Sequence, residues 1–247
     1  YAVGMKEKPA LLQADDYYEA VIKSDINRAD GVSKNPERVK RLMRSFARNQ
    51  GTQISNTMLR DDIISNDTES LNEDTIASYI NALKNIFVVE DMAAWNPNLR
   101  SKTSIRTSET RYYVDPSIAV AALGIGPKDL TNDLNTMGLL FETLCVRDLR
   151  VYAGSIGGTV LHYRDKSGLE CDTVIHLKNG RYGLAEIKLG GQKLIEEGVK
   201  NLQSLSNKID TSKMPAPSFL MIIIGIGEFA YRREDGIFIV PIGCLKN

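Results

Sequence analysis

"ECDTVIHLKNGRYGLAEIKLGG", residues 170–191, reads as two β-strands around a turn at Asn179-Gly180. It is mostly apolar, as a strand pair buried in a core should be. Yet Glu170 and Asp172 interrupt the first strand, and Glu186 and Lys188 interrupt the second. Side chains along a strand alternate faces, so Glu170 and Asp172 point one way together, as do Glu186 and Lys188. With the hairpin in register, both sets can meet on one patch of the sheet. Carboxylates there are costly unless they are paired or hold a cation.

The flanking sequence supplies the rest of a sheet. "GTVLHYR" precedes the hairpin as a strand, and a helix over roughly 132–150 precedes that strand. A helix over about 193–209 follows, then two apolar strands in "PSFLMIIIGIG" and "GIFIVPIG". This order is that of an α/β fold around a mixed sheet.

In the helix "MGLLFETLCVRDL", Glu142 shares a side with Leu139, Cys145, Val146 and Leu149. A carboxylate within an inward stripe costs on the order of several kcal/mol unless it is paired or metal-bound. Glu142, Asp172 and Glu186 are hard oxygen donors suited to Mg²⁺ or Mn²⁺ holding several waters. Lys188, beside them, could orient or deprotonate a water, or stabilise negative charge developing on a phosphate. Arg164, ending the strand before, is either a phosphate contact or a surface or capping arginine. Glu170 reads equally as a further ligand or as a solvated strand end.

The N-terminal half has a different texture. Residues 1–33 are a polar lead-in with one helical segment, "ADDYYEAVIKSDINR". "NPERVKRLMRSFARNQG" has Pro36 at a first helical position and Gly51 beyond the end, with Val39, Leu42, Met43 and Phe46 on one face. A short helix near Thr57–Ile64 comes next, then one capped by Asn72 that turns Ile76, Tyr79, Ile80 and Leu83 inward. "IFVVEDM" and "TRYYVDP" read as strands across the polar loop 94–110.

Three helices and a β-hairpin are the winged-helix pattern, assigned to 34–115. Pro116 and "LGIGPKDL" mark the joint to a second domain over 116–247. The loop "NLRSKTSIRTSETR" is the candidate basic wing for nucleic acid, with Arg100, Lys102, Arg106 and Arg111. Glu73 and Asp74 open the helix that would read DNA and would repel phosphates, so packing or partner binding is the stronger expectation for this domain.

The 31 Lys and Arg balance the 31 Asp and Glu, so any surface for nucleic acid must be local. The sequence has no signal peptide and no apolar run near the length of a membrane span. Three scattered cysteines, Cys145, Cys171 and Cys244, read as small buried hydrophobes in a reducing, cytoplasmic setting. With only His162 and His176 present, a multi-histidine metal site is excluded, and each reads as a satisfied strand histidine.

The helix Glu142, the strand Asp172 and the E-x-K of "AEIK", followed by a helix, resemble the PD-(D/E)xK nuclease superfamily. "QKLIEEGVKNLQSL" is similar to that family's following helix. Gln203 stands where the family often has a polar active-site residue, and otherwise reads as an ordinary helix-surface residue. From about Asp15 onward, a winged helix followed by "YYVDPSIAVAAL", "GLLFETLCVRDL", "ECDTVIHLKNG" and "AEIKLG" resembles the C-terminal region of AAA-type ATPases called domain of unknown function 4143.

The resemblance implies a winged helix followed by a restriction-endonuclease-like α/β domain whose mixed sheet is flanked by helices. It also implies a preceding ATPase module as partner. No G-x-x-x-x-G-K-[ST] occurs in the sequence, so ATP chemistry is not expected of this chain, which reads as a separated C-terminal portion. Thr173 departs from the apolar residue usual after the strand Asp. Metal-dependent cleavage of DNA or RNA is the leading expectation. A non-catalytic regulatory or assembly module of the same fold, and a DNA-binding regulator working through the winged helix, are the alternatives.

Overall fold

The structure, a computed structural model, describes residues 4–64 and 72–245; residues 1–3 of the expected lead-in and the last two of the expected second domain lie outside the described residues. The chain forms two compact units. Unit 1 comprises Tyr1–Asp91 and Arg111–Thr143, and unit 2 comprises Met92–Thr110 and Leu144–Asn247. The division therefore does not follow a single cut at residue 115. The loop between the first two strands packs with the C-terminal sheet, and the helices after Pro116 pack with the N-terminal ones.

Unit 1 is built of helices whose ends are written in the sequence. The first, α1 (Glu7–Ala20), continues through a π turn at Val21–Asp25 into α2 (Ile26–Arg28). In α3 (Pro36–Arg48) the Asn35 side chain accepts from the amides of Glu37 and Arg38, and Pro36 occupies the first turn, where its missing N–H is not needed. After α4 (Asn56–Ile64), α5 (Glu73–Asn85) is capped by Asn72, whose side chain accepts from Thr75 N at 2.8 Å. Its Ile76, Ile80 and Leu83 join Val39, Leu42, Met43 and Phe46 in one core.

Strand β1 (Val89–Met92) pairs with β2 (Thr110–Tyr113) in a two-stranded sheet. Tyr113 fastens it to α3: its hydroxyl donates to Met43 O at 2.6 Å, and its ring meets Phe46 edge-on. Helix α6 (Pro116–Leu123) is capped by Asp115 and ends at Gly124, whose φ of 68° is the left-handed conformation that glycine takes most readily. Then follow α7 (Pro127–Asn132) and α8 (Leu134–Ser155), whose residues up to Thr143 belong to unit 1 and the remainder to unit 2.

Unit 2 is a six-stranded mixed sheet, and the fold class is α/β. Strands β3 (Gly158–Arg164), β4 (Glu170–Leu177) and β5 (Tyr182–Lys188) form an antiparallel meander. The helix α9 (Gln192–Lys208) then crosses over to β6 (Leu220–Ile224), parallel to β5. Strand β8 (Phe238–Pro241) runs parallel to β6, and the short β7 (Tyr231–Arg232) closes the far edge, giving the order β3-β4-β5-β6-β8-β7. On α9, Ile195, Val199, Leu202 and Leu205 are packed in one core with Val174, Leu184 and Ile222 of the sheet. Strand β7 has only two residues, too few to show a period in the sequence.

The segment expected to be a basic wing is instead laid along the β3 edge. Trp95 N donates to His162 O, Arg106 N to Arg164 O, and Lys166 N to Ser104 O. Trp95 is 5 % exposed, and its ring packs against those of Tyr163 and Tyr182. An edge strand covered in this way has its open hydrogen-bonding groups satisfied.

Candidate functional site

The acidic hairpin owes its geometry to an irregularity in β4. Between the pairs Leu161↔Val174 and Tyr163↔Cys171, β3 has one residue, His162, and β4 has two, Asp172 and Thr173. A bulge of this kind re-aims a side chain. On the other side, β4 and β5 pair from His176↔Tyr182 to Thr173↔Ala185, and one further step in that register sets Asp172 opposite Glu186. There the side chain enters the ladder: Asp172 Oδ2 accepts from Ile187 N at 2.8 Å.

Asp172, Glu186 and Lys188 meet. Lys188 Nζ lies 3.1 Å from Asp172 Oδ2 and 2.6 Å from Glu186 Oε2. The contact to Asp172 is a hydrogen bond. The closer contact pairs Lys188 with Glu186 Oε2, while Glu186 Oε1 is buried with no hydrogen-bond partner. Glu186 is 1 % exposed. The helix α9 roofs it at Gly198, where a Cβ would stand 3.4 Å from Glu186 Cβ and 3.6 Å from Lys188 Cε.

Electrostatics follow from this placement. Burial, then the like charge of Asp172, push the Glu186 carboxyl up to about 8 against the pull of Lys188. Burial alone would lower Lys188, but the Asp172 and Glu186 carboxylates outweigh it and hold the ammonium above its ordinary range. The unmet Glu186 Oε1, next to the Asp172 carboxylate, gives a donor set that fits a hard divalent cation keeping most of its waters.

The other expected site residues are placed as follows. Glu170, exposed at the start of β4, pairs with Arg164 at 3.5 Å, a distance too long for a good hydrogen bond. Gln203 is exposed on α9. Glu142 belongs to unit 1, where Tyr112 donates to its Oε1 at 2.7 Å and a Cβ on Gly51 would come within 2.9 Å of the same oxygen. Among the described residues no group of three or more His, Cys, Asp or Glu is arranged to hold a metal ion.

Arg100, Lys102 and Arg106 are exposed on the segment that lines β3. Arg111 lies in β2, where it bonds Asn56 and pairs with Asp91. His162 is buried with its Nε2 3.0 Å from Ser108 O, and burial lowers its pKa. The three cysteines are free.

Sequence reasoning missed a second buried carboxylate. Asp165 is fully buried and takes bonds from Lys208 Nζ, Tyr163 Oη, Ser167 and the Leu169 amide. Burial would raise its carboxyl, but the bonds from Lys208, Ser167 and Tyr163 outweigh this and hold it well below the usual range. The available signal was "RDKSG", an Asp two residues before a Ser, the pattern of an Asx turn.

A family model described as Domain of unknown function (DUF8612) matches residues 1–129, and one described as Domain of unknown function (DUF4143) matches residues 137–245. The second match agrees with the expected resemblance but covers only the C-terminal part of the stretch assigned to it, the front half matching the other family. No curated protein and no solved structure matches the chain. No helix among the described residues is long and apolar enough to cross a membrane.

Proposed function

We propose that this chain, which belongs to the DUF8612 family and carries a DUF4143 domain, is a metal-dependent phosphodiesterase on nucleic acid, its site formed by Asp172, Glu186 and Lys188. The observation that carries this reading is Glu186 Oε1, buried with no hydrogen-bond partner beside a second carboxylate. A carboxylate oxygen left unmet in a low-dielectric site is expensive, and a bound cation would meet it.

Asp172 and Glu186 would hold Mg²⁺ or Mn²⁺. When bound, such an ion lowers the pKa of water and screens charge on a phosphate oxygen. Asp172 is fixed for this by the Ile187 amide, which holds one oxygen and so sets the direction of the other. Lys188, positively charged at the edge of the pair, binds a non-bridging phosphate oxygen and steadies the charge that grows on it as water attacks. Gly198 keeps α9 close, excluding water from the Glu186 side.

The substrate in this reading is DNA or RNA, the setting is cytoplasmic, and an ATPase module preceding this region is the partner. The test is incubation of the chain with Mn²⁺ or Mg²⁺ and single-stranded, duplex and branched DNA, and RNA. Asp172→Ala and Lys188→Ala are each expected to abolish cutting, and cutting at the parent's rate by either would refute the assigned roles.

A second reading is a non-catalytic regulatory or assembly module. It is favoured by Lys188 reaching both carboxylates, which lets the ammonium supply the positive charge that a metal otherwise would. It predicts no heat on calorimetric titration with Mn²⁺, whereas the phosphodiesterase reading predicts binding that Glu186→Gln weakens.

A further inference from the structure

We infer that Lys188 stands in for the divalent cation in the resting site, and that the cation settles between Asp172 and Glu186 only as a phosphodiester draws this ammonium away. The inference deepens the phosphodiesterase reading and rests on it for the nature of the anion. Lys188 Nζ lies 2.6 Å from Glu186 Oε2 and 3.1 Å from Asp172 Oδ2. Each carboxylate thus gives the ammonium an oxygen that a cation held by both would draw on. Asp172 Oδ2 is engaged again by the Ile187 amide at 2.8 Å. Glu186 Oε1, buried with no hydrogen-bond partner, is what the ammonium leaves unmet. One such oxygen is too few for a hard cation, which takes about six oxygen ligands.

Lys188 has room to leave. It is the last residue of β5, and its side chain is 21 % exposed where that of Glu186 is 1 % exposed. Gly198 puts no side chain against its stem: a Cβ there would stand 3.6 Å from Lys188 Cε. Further along the chain, a Cβ on Gly190 or Gly191 would meet nothing within 4 Å, so the turn after Lys188 borders open space. Glu186 is enclosed and Asp172 is tied to the Ile187 amide, so the lysine is the movable member of the three.

Two positive charges side by side in a poorly solvated site repel strongly, so ammonium and cation exclude one another. Leaving strips Lys188 of both carboxylates, and an anionic phosphate oxygen replaces them with a charge-assisted hydrogen bond. The carboxylates it vacates are then open to the cation. Cation and phosphodiester therefore strengthen each other's binding, and the coupling is reciprocal. The site fills with metal when a substrate phosphate arrives and relaxes to the Lys188 pair when it goes.

The test is calorimetric titration of the intact chain with Mn²⁺ at neutral pH, alone, with saturating dimethyl phosphate, and with its uncharged analogue trimethyl phosphate. Dimethyl phosphate is expected to tighten Mn²⁺ binding about tenfold or more, within the usual range of such couplings, and trimethyl phosphate to leave it unchanged. Lys188→Met should bind Mn²⁺ alone about tenfold or more tighter than the parent and ignore dimethyl phosphate. Lys188→Arg, which keeps the charge, should bind Mn²⁺ no better than the parent. Because Lys188→Met leaves two carboxylates facing each other, melting is followed as well, and Mn²⁺ should raise its melting temperature more than the parent's. A parent whose Mn²⁺ affinity ignores dimethyl phosphate overturns the inference. So does a Lys188→Met protein that Mn²⁺ neither binds more tightly nor stabilises more than the parent, and so does an absence of Mn²⁺ binding throughout. Binding is read without turnover, so the expected coupling with no strand cut overturns the phosphodiesterase reading alone. Mn²⁺-dependent cutting without the coupling overturns this inference alone.

Discussion

Gly198 of α9 faces Glu186 of β5 with nothing between them: a Cβ on Gly198 would lie 3.4 Å from that of Glu186, and 2.9 Å from Ile222 Cδ1. The helix can sit this low on the sheet only because residue 198 has no side chain. Alanine there meets chiefly the movable end of Ile222, and its better helix propensity, about 1 kcal/mol, offsets the crowding. Gly198→Ala is thus expected to stay within about 1 kcal/mol of the parent. Gly198→Leu should cost about 1–3 kcal/mol by overpacking, read from the denaturant midpoint.

Glu186 should make stability depend on pH in metal-free buffer. Its carboxyl is raised from 4.5 to about 8 in the folded state, so the folded protein binds a proton that the unfolded chain has lost. Stability on this account is complete below about pH 4.5 and declines as pH rises towards and through 8. Glu186→Gln removes the decline: its melting temperature should exceed the parent's at pH 9 and match it at pH 4. A parent curve that does not fall over that window would refute the placement.

Asp165 has the opposite sign. Its carboxyl is held below its ordinary value, so the stability it contributes is present above about pH 4 and is lost as pH falls through the folded value. Asp165→Asn leaves Lys208 without its buried partner and should cost about 3 kcal/mol at pH 7, the low end for a broken buried pair because Lys208 can turn partly to water. The difference from the parent should shrink in acid, as chemical denaturation at pH 7 and pH 3 will show.

Phe87 follows α5 at a φ of 55°, a left-handed backbone that costs an L-residue roughly 1–2 kcal/mol, and its ring is 74 % exposed. Asn tolerates that conformation better. Phe87→Asn is therefore expected to raise stability by up to about 1 kcal/mol, visible as a higher melting temperature.

Trp95, the sole tryptophan, provides a probe of unit 2. Its emission should be that of a buried indole and should shift as the sheet unfolds. Trp95→Ala should cost about 3–5 kcal/mol by emptying the space beside Tyr163 and Tyr182.

Much of this architecture was legible in the chain because local rules wrote it. Asn35-Pro36 and Asn72 start helices where capping chemistry says they should, and "GTVLHYR" is a strand from end to end, whereas Pro116, expected to mark a joint, opens α6. The meeting of Asp172, Glu186 and Lys188 was legible too, since period-two alternation and one turn set β4 against β5, but the bulge opposite His162 was not.

The destination of residues 92–110 was not. Their polar, basic composition describes a solvated loop equally well whether it stands free or binds an edge, and only the apolar Trp95 hinted at a partner. Glu142, expected as a metal ligand from its place in an inward stripe, accepts from Tyr112, thirty residues upstream on another element. No periodicity along one helix can find such a partner.

The path of residues 92–110 has a practical consequence. Subcloning residues 137–245 alone, the stretch matched by one family, would discard the tryptophan and the backbone donors that occupy the outer margin of β3. The excised piece would expose a ribbon of open amides and carbonyls able to recruit the same margin of its neighbours, and insoluble oligomers are the expected yield. Sequence families and folding units have different borders in this polypeptide, and an expression strategy should follow the second.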